Sequence, residues 1–333
     1  MKKHIKIKFV DVWKNFGQGK QPNDFLDILQ RFYDVEISDN PQYLFYSIFG
    51  NEHLKYNCVR IFFTGECITP NFNECDYAIA FDRLTFGDRY LRVPLYNLFQ
   101  YKSEYDSLLN RTSLAKTDLD TYKGFCSFVV SNCFANDMRA IFYDKLSAYK
   151  KVASGGRFRN NIGGAVADKK SFLAEHKFTI AFENTSYDGY CTEKIMEAFA
   201  AGVVPIYWGD PNVAKDFNPE SFINVHDFSS FDEVVECVRK IDNDDDLYLK
   251  MRNANPLLKE TTDNGLAVFL CNIINQDYDK SFRRPESVTA TMDAEAKLRH
   301  DFFEKHIYKY YRKLLNQIVR YNTGTLLTTK RNK

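Results

Sequence analysis

Residues 177–210 constrain the fold of this chain most strongly, because they combine a strand, a loop, a helix and a second strand. Positions 178–182 form a short apolar run that is typical of a buried parallel strand. A polar loop follows at 184–191, and Thr192 is a suitable N-cap for a helix. The apolar residues that recur at helical spacing are Ile195, Met196, Phe199, Ala200 and Val203. Since 203–208 predicts the next buried strand, we expect a right-handed crossover within a parallel sheet.

The loop between this strand and this helix is a candidate binding site for an anion. In open α/β sheets, ligands collect where strands end and helices begin, because free N–H groups and the helix dipole favour negative charge there. Lys194 falls in the first helical turn, where a cation opposes the dipole. Its position fits either a solvated surface lysine or a lysine that faces a phosphate. Glu193 fits either a surface acid that complements the dipole or an acceptor for a sugar hydroxyl.

The length and composition of the chain favour two domains and give no bias towards an anionic partner. Its 333 residues suffice for two domains of ordinary size. With 45 Lys and Arg against 44 Asp and Glu, net charge gives no support to a nucleic-acid role. The 8 cysteines include no CxxC pair and no metal-ligand spacing, which argues against zinc and favours a reducing compartment. No signal peptide or long apolar run is visible, so we expect a cytoplasmic protein.

Strands alternate with helices in the first part of the chain, which predicts an α/β domain. The candidate strands are 5–12, 35–37, 43–49, 59–63 and 77–81. Glu66 lies in the loop after the strand 59–63, and such sheets place functional side chains in these loops. A loop carboxylate in such a position is either catalytic or simply solvated.

A second α/β domain is expected to begin at position 123. Positions 126–130 predict a buried strand, and the helix 138–149 follows it. The glycine-rich segment 152–164 lacks both the GK[ST] ending of a Walker loop and the GxGxxG fingerprint. Arg159 in this segment is therefore either exposed to solvent or placed to clamp a phosphate, for which the guanidinium fork is suited.

The sequence predicts three parts. They are an N-terminal domain at 1–122, a second domain at 123–276, and a basic, aromatic helical tail at 277–333. The polar stretch 100–122 is interpreted as an insertion or linker, and 267–274 as the last helix of the second domain. The tail contains a candidate helix at 294–321 that is dense in Lys, Arg and Tyr. Such a helix is suited either to an anionic membrane surface or to packing against the first domain.

Several segments, taken in order from 59 to 231, resemble the bacterial α1,3-fucosyltransferases, relatives of the animal enzymes that make Lewis antigens. The most specific segment is FENTSYDGYCTEK at 182–194, which is similar to the donor-site motif of that family. On the acceptor side, FTGE at 63–66 with TPNF at 69–72 resembles a second motif. Further similarity is found in DRYLR at 88–92, GGRFRN at 155–160, PIYWG at 205–209 and VAKDF at 213–217.

The resemblance implies a GT-B-type glycosyltransferase, in which two Rossmann-like α/β domains face a cleft and a helical tail follows. Domain 1–122 would bind the acceptor and domain 123–276 would bind GDP-fucose. Glu66 would be the general base that takes the proton from the attacking acceptor hydroxyl, with inversion at the anomeric carbon of GDP-β-L-fucose. Arg159 and Lys194 would neutralise the leaving diphosphate.

The remaining donor contacts are implied in the same way. Asn184, Tyr190 and Glu193 would hold the nucleotide and the fucose by hydrogen bonds. Because cations of the chain would stabilise the leaving group, we expect no metal site and no obligatory cofactor. A divalent metal is expected to stimulate at most, and GDP-fucose is expected as the donor substrate.

The implied function is transfer of fucose to O3 of N-acetylglucosamine in a lactosamine-type glycan, giving a Lewis x-like product for lipopolysaccharide or capsule. One alternative is transfer to O4 of N-acetylglucosamine or to O3 of a reducing-end glucose. Another is a non-catalytic nucleotide-sugar or glycan-binding module. The presence of Glu66 together with Arg159 and Lys194 disfavours it, because a pure binder needs no base. Peripheral contact with the inner membrane through residues 305–320 is a further hypothesis, and the oligomeric state stays open.

Overall fold

The computed structural model describes residues 1–13, 16, 23–98, 101–130, 137–258, 265–308 and 310–311. Within these ranges the chain forms two parallel β-sheets, a six-stranded sheet followed by a five-stranded sheet, with helices between the strands. This arrangement confirms the expected α/β class with two Rossmann-like units.

The first sheet is built from six parallel strands. They are β1 (His4–Val10), β2 (Asp34–Ile37), β3 (Tyr43–Tyr46), β4 (Val59–Phe63), β5 (Tyr77–Ala80) and β6 (Tyr90–Arg92). Their order across the sheet is β2-β1-β3-β4-β5-β6. β3 and β5 are buried along their whole length, as expected for interior strands of a sheet covered on both faces. Helix α1 (Asp24–Phe32) begins at the N-cap Asn23, whose side chain accepts from the backbone N–H of Leu26 at 3.1 Å.

The second sheet has five parallel strands. They are β7 (Gly124–Phe128), β8 (Val152–Ser154), β9 (His176–Phe182), β10 (Val204–Trp208) and β11 (Ile223–Asn224), in the order β11-β10-β9-β7-β8. The other helices of the described chain are α2 (Lys102–Leu109), α3 (Met138–Tyr149), α4 (Lys169–Ala174), α5 (Glu193–Ala200), α6 (Phe231–Asp242), α7 (Asp245–Asn253), α8 (Leu266–Asn275) and α9 (Val288–Phe303).

The unit predicted at 177–210 lies at the centre of the second sheet. β9 pairs in parallel with β10, with Phe182 opposite Trp208, and α5 connects the two strands. The ring of Phe182 also stacks on Phe142 of α3 at 4.9 Å. The two predicted strands, 178–182 and 203–208, are therefore confirmed: the first ends at residue 182 as predicted, and the second begins one residue later than predicted. The helix 138–149 is confirmed over its full length.

Helix α8 packs on the first sheet. Its buried residues Leu266, Leu270 and Ile274 share one core with Ile5 of β1 and Leu29 of α1. The inclusion of 267–274 in a domain at 123–276 stays a prediction, although α8 contacts the core of the first sheet. An apolar helical pattern specifies a buried face but does not specify which sheet will cover it.

The connection between the two sheets also differs from a polar linker. It contains α2, and Leu108 of α2 is buried against Ile195 and Phe199 of α5. The segment 102–109 therefore packs on the second sheet's side. The domain limits at 122/123 and 276/277 stay a prediction.

The tail helix α9 packs on the first domain, which was one of its two expected positions. It begins at Val288, earlier than the predicted 294, and continues as a π-helical turn over Glu304–Tyr308. Lys297 forms an ion pair with Glu74, and Asn51 donates to Asp301 at 3.0 Å. Residues 312–333, and with them most of the proposed membrane-contacting segment, lie outside the described residues.

An acidic side chain of the first domain anchors this tail helix. Hydrogen bonding to His53 lowers the pKa of Glu74 to about 2, and Lys297 acts in the same direction, although burial opposes both. His53 in turn bonds the buried Asp11 at 2.7 Å. The tail is therefore attached through a polar network beneath β3 and β4.

Candidate active site

The loop after β5 of the first sheet contacts the loop after β9, the middle strand of the second sheet. β5 ends at Ala80 and is followed by Phe81, whose ring packs edge-on against Tyr190 of the second sheet's loop, with 5.1 Å between ring centroids. This loop runs from the end of β9 to the start of α5. Parallel α/β sheets bind their ligands at such ends, so the facing loops form the candidate site.

The buried carboxylate of Glu183 organises the loop at the end of β9. Its side chain is 0% exposed. It accepts from the backbone N–H of Thr192 at 2.7 Å and from the Thr192 hydroxyl at 2.6 Å. Thr192 is the N-cap of α5, as predicted, but its hydroxyl donates to Glu183, and no capping bond from it to the helix is formed. A carboxylate therefore replaces the usual cap at the positive end of the helix.

Lys194 lies beside this carboxylate. Its ammonium group donates to Glu183 at 2.9 Å, to the Thr192 hydroxyl at 2.8 Å and to Glu193 at 3.1 Å. Burial lowers the pKa of Lys194, but the charges of Glu183 and Glu193 outweigh burial and raise it overall. Burial likewise raises the pKa of Glu193, and Lys194 more than reverses this effect. Lys194 is therefore a permanent cation that remains 19% exposed.

Asn184 and Tyr190 occupy the two ends of the same loop. The Asn184 side-chain oxygen accepts from Arg139 at 2.7 Å. Tyr190 is buried, and its carbonyl accepts from the Tyr207 hydroxyl at 3.3 Å. Burial raises the pKa of Tyr190, and the charges of Glu183 and Glu66 add to this increase. Glu66 is therefore within electrostatic reach of the loop, although it belongs to the other sheet.

Arg139 is a site residue that the sequence-based reasoning missed. The residue is buried, with an exposed fraction of 3%. Its guanidinium donates to the carbonyl of Phe182 at 2.7 Å and also to Asn184. It lies in the first turn of α3, on the face that also buries Phe142 and Leu146. An arginine on the apolar face of a predicted helix was the available signal, since such a charge needs partners in the interior.

The structure places Arg159 away from this cluster. Its guanidinium pairs with Asp144 at 2.9 Å and lies over the ring of Tyr143 at 5.7 Å. Among the residues that the structure describes, it forms no ion pair with Glu183 or Glu193. Arg159 has a φ of 51°, in the left-handed region that a non-glycine residue rarely adopts. The donor role of Arg159 stays a prediction.

Glu66 projects from the loop after β4 into a cavity of about 300 Å³. The other described residues that line this cavity are Trp13, Phe49, Gly65 and Leu95. Gly65 allows the loop to pass close to Leu95, because a Cβ at Gly65 would lie 2.9 Å from a Leu95 methyl group. The Glu66 side chain is exposed and has no hydrogen-bond partner among the described residues.

Five charged residues join the two sheets beside the site; we call them the clasp. Arg83 pairs with Asp210 at 2.7 Å, with Asp216 at 2.9 Å and with Asp188 at 3.2 Å. Arg92 donates through both terminal nitrogens to Asp216, at 2.7 and 3.0 Å. The clasp therefore links the loop after β5 to the loops that follow β9 and β10.

The described ranges contain no cluster of three or more His, Cys, Asp or Glu side chains with a geometry suited to a metal ion. Nor does any described helix have the length and apolar character needed to cross a bilayer.

Two family models match this chain, one over the part that forms the first sheet and one over the part that forms the second sheet. Residues 7–99 match the family described as the alpha-(1,3)-fucosyltransferase FucT N-terminal domain. Residues 120–280 match glycosyltransferase family 10 (fucosyltransferase) C-term. The Alpha-(1,3)-fucosyltransferase FucT of Helicobacter pylori is 40% identical over 305 residues, which cover 81% of this chain and 63% of that relative. This chain thus spans less than two thirds of the relative's length.

Solved structures give the same result. A crystal structure of alpha1,3-fucosyltransferase is 32% identical, with a TM-score of 0.73 and coverage of 86% of this chain and 94% of the other. The structure of alpha1,3-fucosyltransferase with GDP-fucose has a TM-score of 0.68 at 32% identity and covers 86% and 93%. These matches confirm the GT-B-type fold and the resemblance seen in the motifs. The chain belongs to the glycosyltransferase family 10 fucosyltransferases.

Proposed function

We propose that this chain transfers L-fucose from GDP-β-L-fucose to O3 of N-acetylglucosamine in a lactosamine-type glycan, with inversion at the anomeric carbon. The observation that carries the proposal is the position of Glu66, an exposed carboxylate that lines a cavity of the first domain and has no hydrogen-bond partner among the described residues. The family membership supports the reaction class, and the solved relative with GDP-fucose supports the donor.

Glu66 has the properties that a general base requires. Its carboxylate is free of protein hydrogen bonds among the described residues, so both oxygens are available to an acceptor hydroxyl. Removing the proton from that hydroxyl as it attacks the anomeric carbon raises its nucleophilicity, which contributes about 10²–10⁴ in rate for a positioned base. The backbone of the loop is held by the Thr64 hydroxyl, which accepts from the Glu66 N–H at 3.0 Å.

Positive charge on the opposite loop serves the leaving group. Departure of GDP places negative charge on a diphosphate oxygen, and Lys194 together with the start of α5 can stabilise it. We add Arg139 to the donor site, because it fixes Asn184 and the end of β9 from below. Arg159 would join this set only after leaving Asp144, since its guanidinium is now engaged there.

Asn184, Tyr190 and Glu193 are proposed to bind the nucleotide and the fucose. Glu193 is partly exposed and ionised beside Lys194, so its second oxygen can accept from a sugar hydroxyl. Tyr190 is buried and packs against Phe81, so we propose that it supports donor binding mainly by holding the loop in position. We propose that no divalent metal is obligatory and that a metal stimulates at most.

The acceptor is proposed to occupy the cavity beside Glu66. Trp13 and Phe49 contribute aromatic surface there, with Phe49 54% exposed. Aromatic faces suit the apolar side of a sugar ring. A lactosamine acceptor would give a Lewis x-like product, and the bacterial relatives lead us to propose lipopolysaccharide or capsule as its setting. Transfer to O4 of N-acetylglucosamine or to O3 of a reducing-end glucose remains the alternative outcome of the same chemistry.

Product analysis tests this proposal. The chain is incubated with GDP-fucose and, separately, with N-acetyllactosamine, its β1,3-linked isomer and lactose, each with EDTA and with a divalent metal. We expect an α1,3-linked fucose on N-acetyllactosamine in EDTA, identified by NMR. A product only on the other two acceptors would select the alternative linkage. Binding of GDP-fucose without any product would indicate the non-catalytic module instead.

A further inference from the structure

A second concentration of positive charge lies at a cavity of about 180 Å³ between the end of α2 and the end of α7. Arg111 and Arg252 line this cavity, which we call the arginine pocket. It shares no residue with the candidate active site, so it is not part of the donor or acceptor surface described above.

Arg111 carries a charge that nothing in the described chain compensates. All three of its guanidinium nitrogens are buried, and none has a hydrogen-bond partner among the described residues. Burial lowers the pKa of Arg111 to about 10, and the nearby charge of Arg252 adds to this effect. Burying an ionised group without a partner is strongly unfavourable, so such an arrangement calls for a counter-ion.

Arg252 is itself largely committed to the backbone around the pocket. Its Nε donates to the carbonyl of Gly202 at 3.1 Å, and its Nη1 donates to the carbonyl of Thr112 at 2.6 Å. Its Nη2 forms no hydrogen bond with a described residue. None of the described residues that line the cavity is acidic, so the two guanidinium groups have no carboxylate between them.

We propose that the arginine pocket binds a tetrahedral oxyanion of the phosphate class. Arg111 offers three guanidinium nitrogens without partners, and Nη2 of Arg252 is a fourth, so an anion between them meets two guanidinium forks. A phosphate has enough oxygens for both guanidinium groups, and bidentate Arg–phosphate bonds are among the strongest charge-assisted ones. The Arg111 side chain would rotate towards the cavity to form them, because its nitrogens are sealed from solvent in the unliganded pocket.

The thermal stability of the full chain tests this inference. Titration with inorganic phosphate should raise the Tm of the wild type to a plateau, since a ligand that binds the native state stabilises it. Sodium chloride at equal ionic strength should not. In Arg111→Met the phosphate-dependent rise should be absent, and without phosphate this variant should melt no lower than the wild type, because the uncompensated charge is gone. Arg299→Met, which removes an exposed arginine, should keep the full rise.

A binding measurement on the wild type keeps the test independent of the variant's folding. Equilibrium dialysis with labelled phosphate, in saturating GDP to occupy the donor site, should show one bound phosphate per chain. Glycerol phosphate that displaces this phosphate would show that the pocket accepts a phosphomonoester; failure to displace it would restrict the pocket to the free ion. No bound phosphate under saturating GDP, or an undiminished Tm rise in Arg111→Met, would overturn the proposal whether or not the chain transfers fucose.

Discussion

The clasp predicts a specific pattern of stability losses. Among the described residues, only Arg83 contacts all three carboxylates of the clasp. One of them, Asp210, has a side chain that is 0% exposed. Arg83→Met keeps the apolar stem of the side chain but removes the charge. Among the described residues, the fully buried carboxylate of Asp210 then retains only the backbone N–H of Asn212, at 2.9 Å, as a hydrogen-bond donor.

The magnitude follows from the cost of an unpaired buried charge. Breaking a buried ion pair by removing one partner costs about 3–5 kcal/mol. We expect the lower end, about 3 kcal/mol, because Arg92 continues to neutralise Asp216. Against the free energy of unfolding of a typical domain, about 5–15 kcal/mol, this loss is large. Asp210→Asn alone should cost less, since Arg83 keeps two other carboxylates.

A double-mutant cycle separates the pair from the general effect of each substitution. Urea unfolding of Arg83→Met, Asp210→Asn and the double variant should give a coupling energy of about 1–3 kcal/mol. The double variant should be more stable than Arg83→Met, because it no longer buries a charge. Arg239→Met serves as the matched control; its exposed ion pair with Glu236 should contribute less than about 1 kcal/mol.

The clasp also holds the donor loop through Asp188, so Arg83→Met should weaken GDP binding measured by calorimetry. Additive losses in the cycle, or a stability of Arg83→Met equal to that of Arg239→Met, would refute the reasoning. The association of the two sheets would then not depend on the Arg83–Asp210 ion pair.

Three further predictions concern the loop, the tail and the donor site. Gly189→Ala should destabilise the chain and weaken GDP binding, because a Cβ there would lie 2.6 Å from the Phe81 carbonyl at a φ of 84°. Gly87→Ala is the control, since Gly87 has a φ of 54° and open space around it. Its free energy of unfolding in urea should fall only by the cost of the left-handed backbone, about 1–2 kcal/mol. The Glu74 pKa lies at about 2 in the folded state, below its ordinary value of 4.5, so its stabilisation is present above pH 4.5 and lost as the pH falls towards 2. Glu74→Gln should therefore lower the free energy of unfolding, measured with urea at neutral pH, by up to about 3 kcal/mol, and its difference from the wild type should shrink in acid. Arg139→Met should reduce the transfer rate by about 10²–10³, measured with labelled fucose, and a rate equal to wild type would remove this residue from the donor site.

Local patterns in the sequence predicted the elements well where neighbours along the chain decide the structure. The strand at 178–182 and the helix at 138–149 are specified by short runs whose burial period is clear. Such patterns predicted helix α8 but could not specify the sheet against which it packs, because its apolar residues fit either core and the choice depends on contacts with β1, more than 250 residues away in the chain. Tertiary packing decided its position.

The candidate site shows the same limit. Motif resemblance selected Glu66, in the loop after β4, and the loop from Asn184 to Lys194, after β9, and the roles of these residues stay predictions. It selected Arg159 through the motif at 155–160 and gave no indication of Arg139, which lies within helix α3. The pairing of Arg83 with Asp210, 127 positions apart, leaves no local signal at all.

Replacement of Glu66 tests its proposed role as the general base. Glu66→Gln is compared with the wild type and with Glu220→Gln, an exposed glutamate on the second sheet's side, in a labelled-fucose assay with EDTA throughout and GDP affinity measured in parallel. We expect Glu66→Gln to transfer fucose about 10²–10⁴ times more slowly than the wild type while binding GDP as tightly. The transfer rate of Glu220→Gln should equal that of the wild type. Wild-type turnover in Glu66→Gln would contradict the proposed role and require a different base.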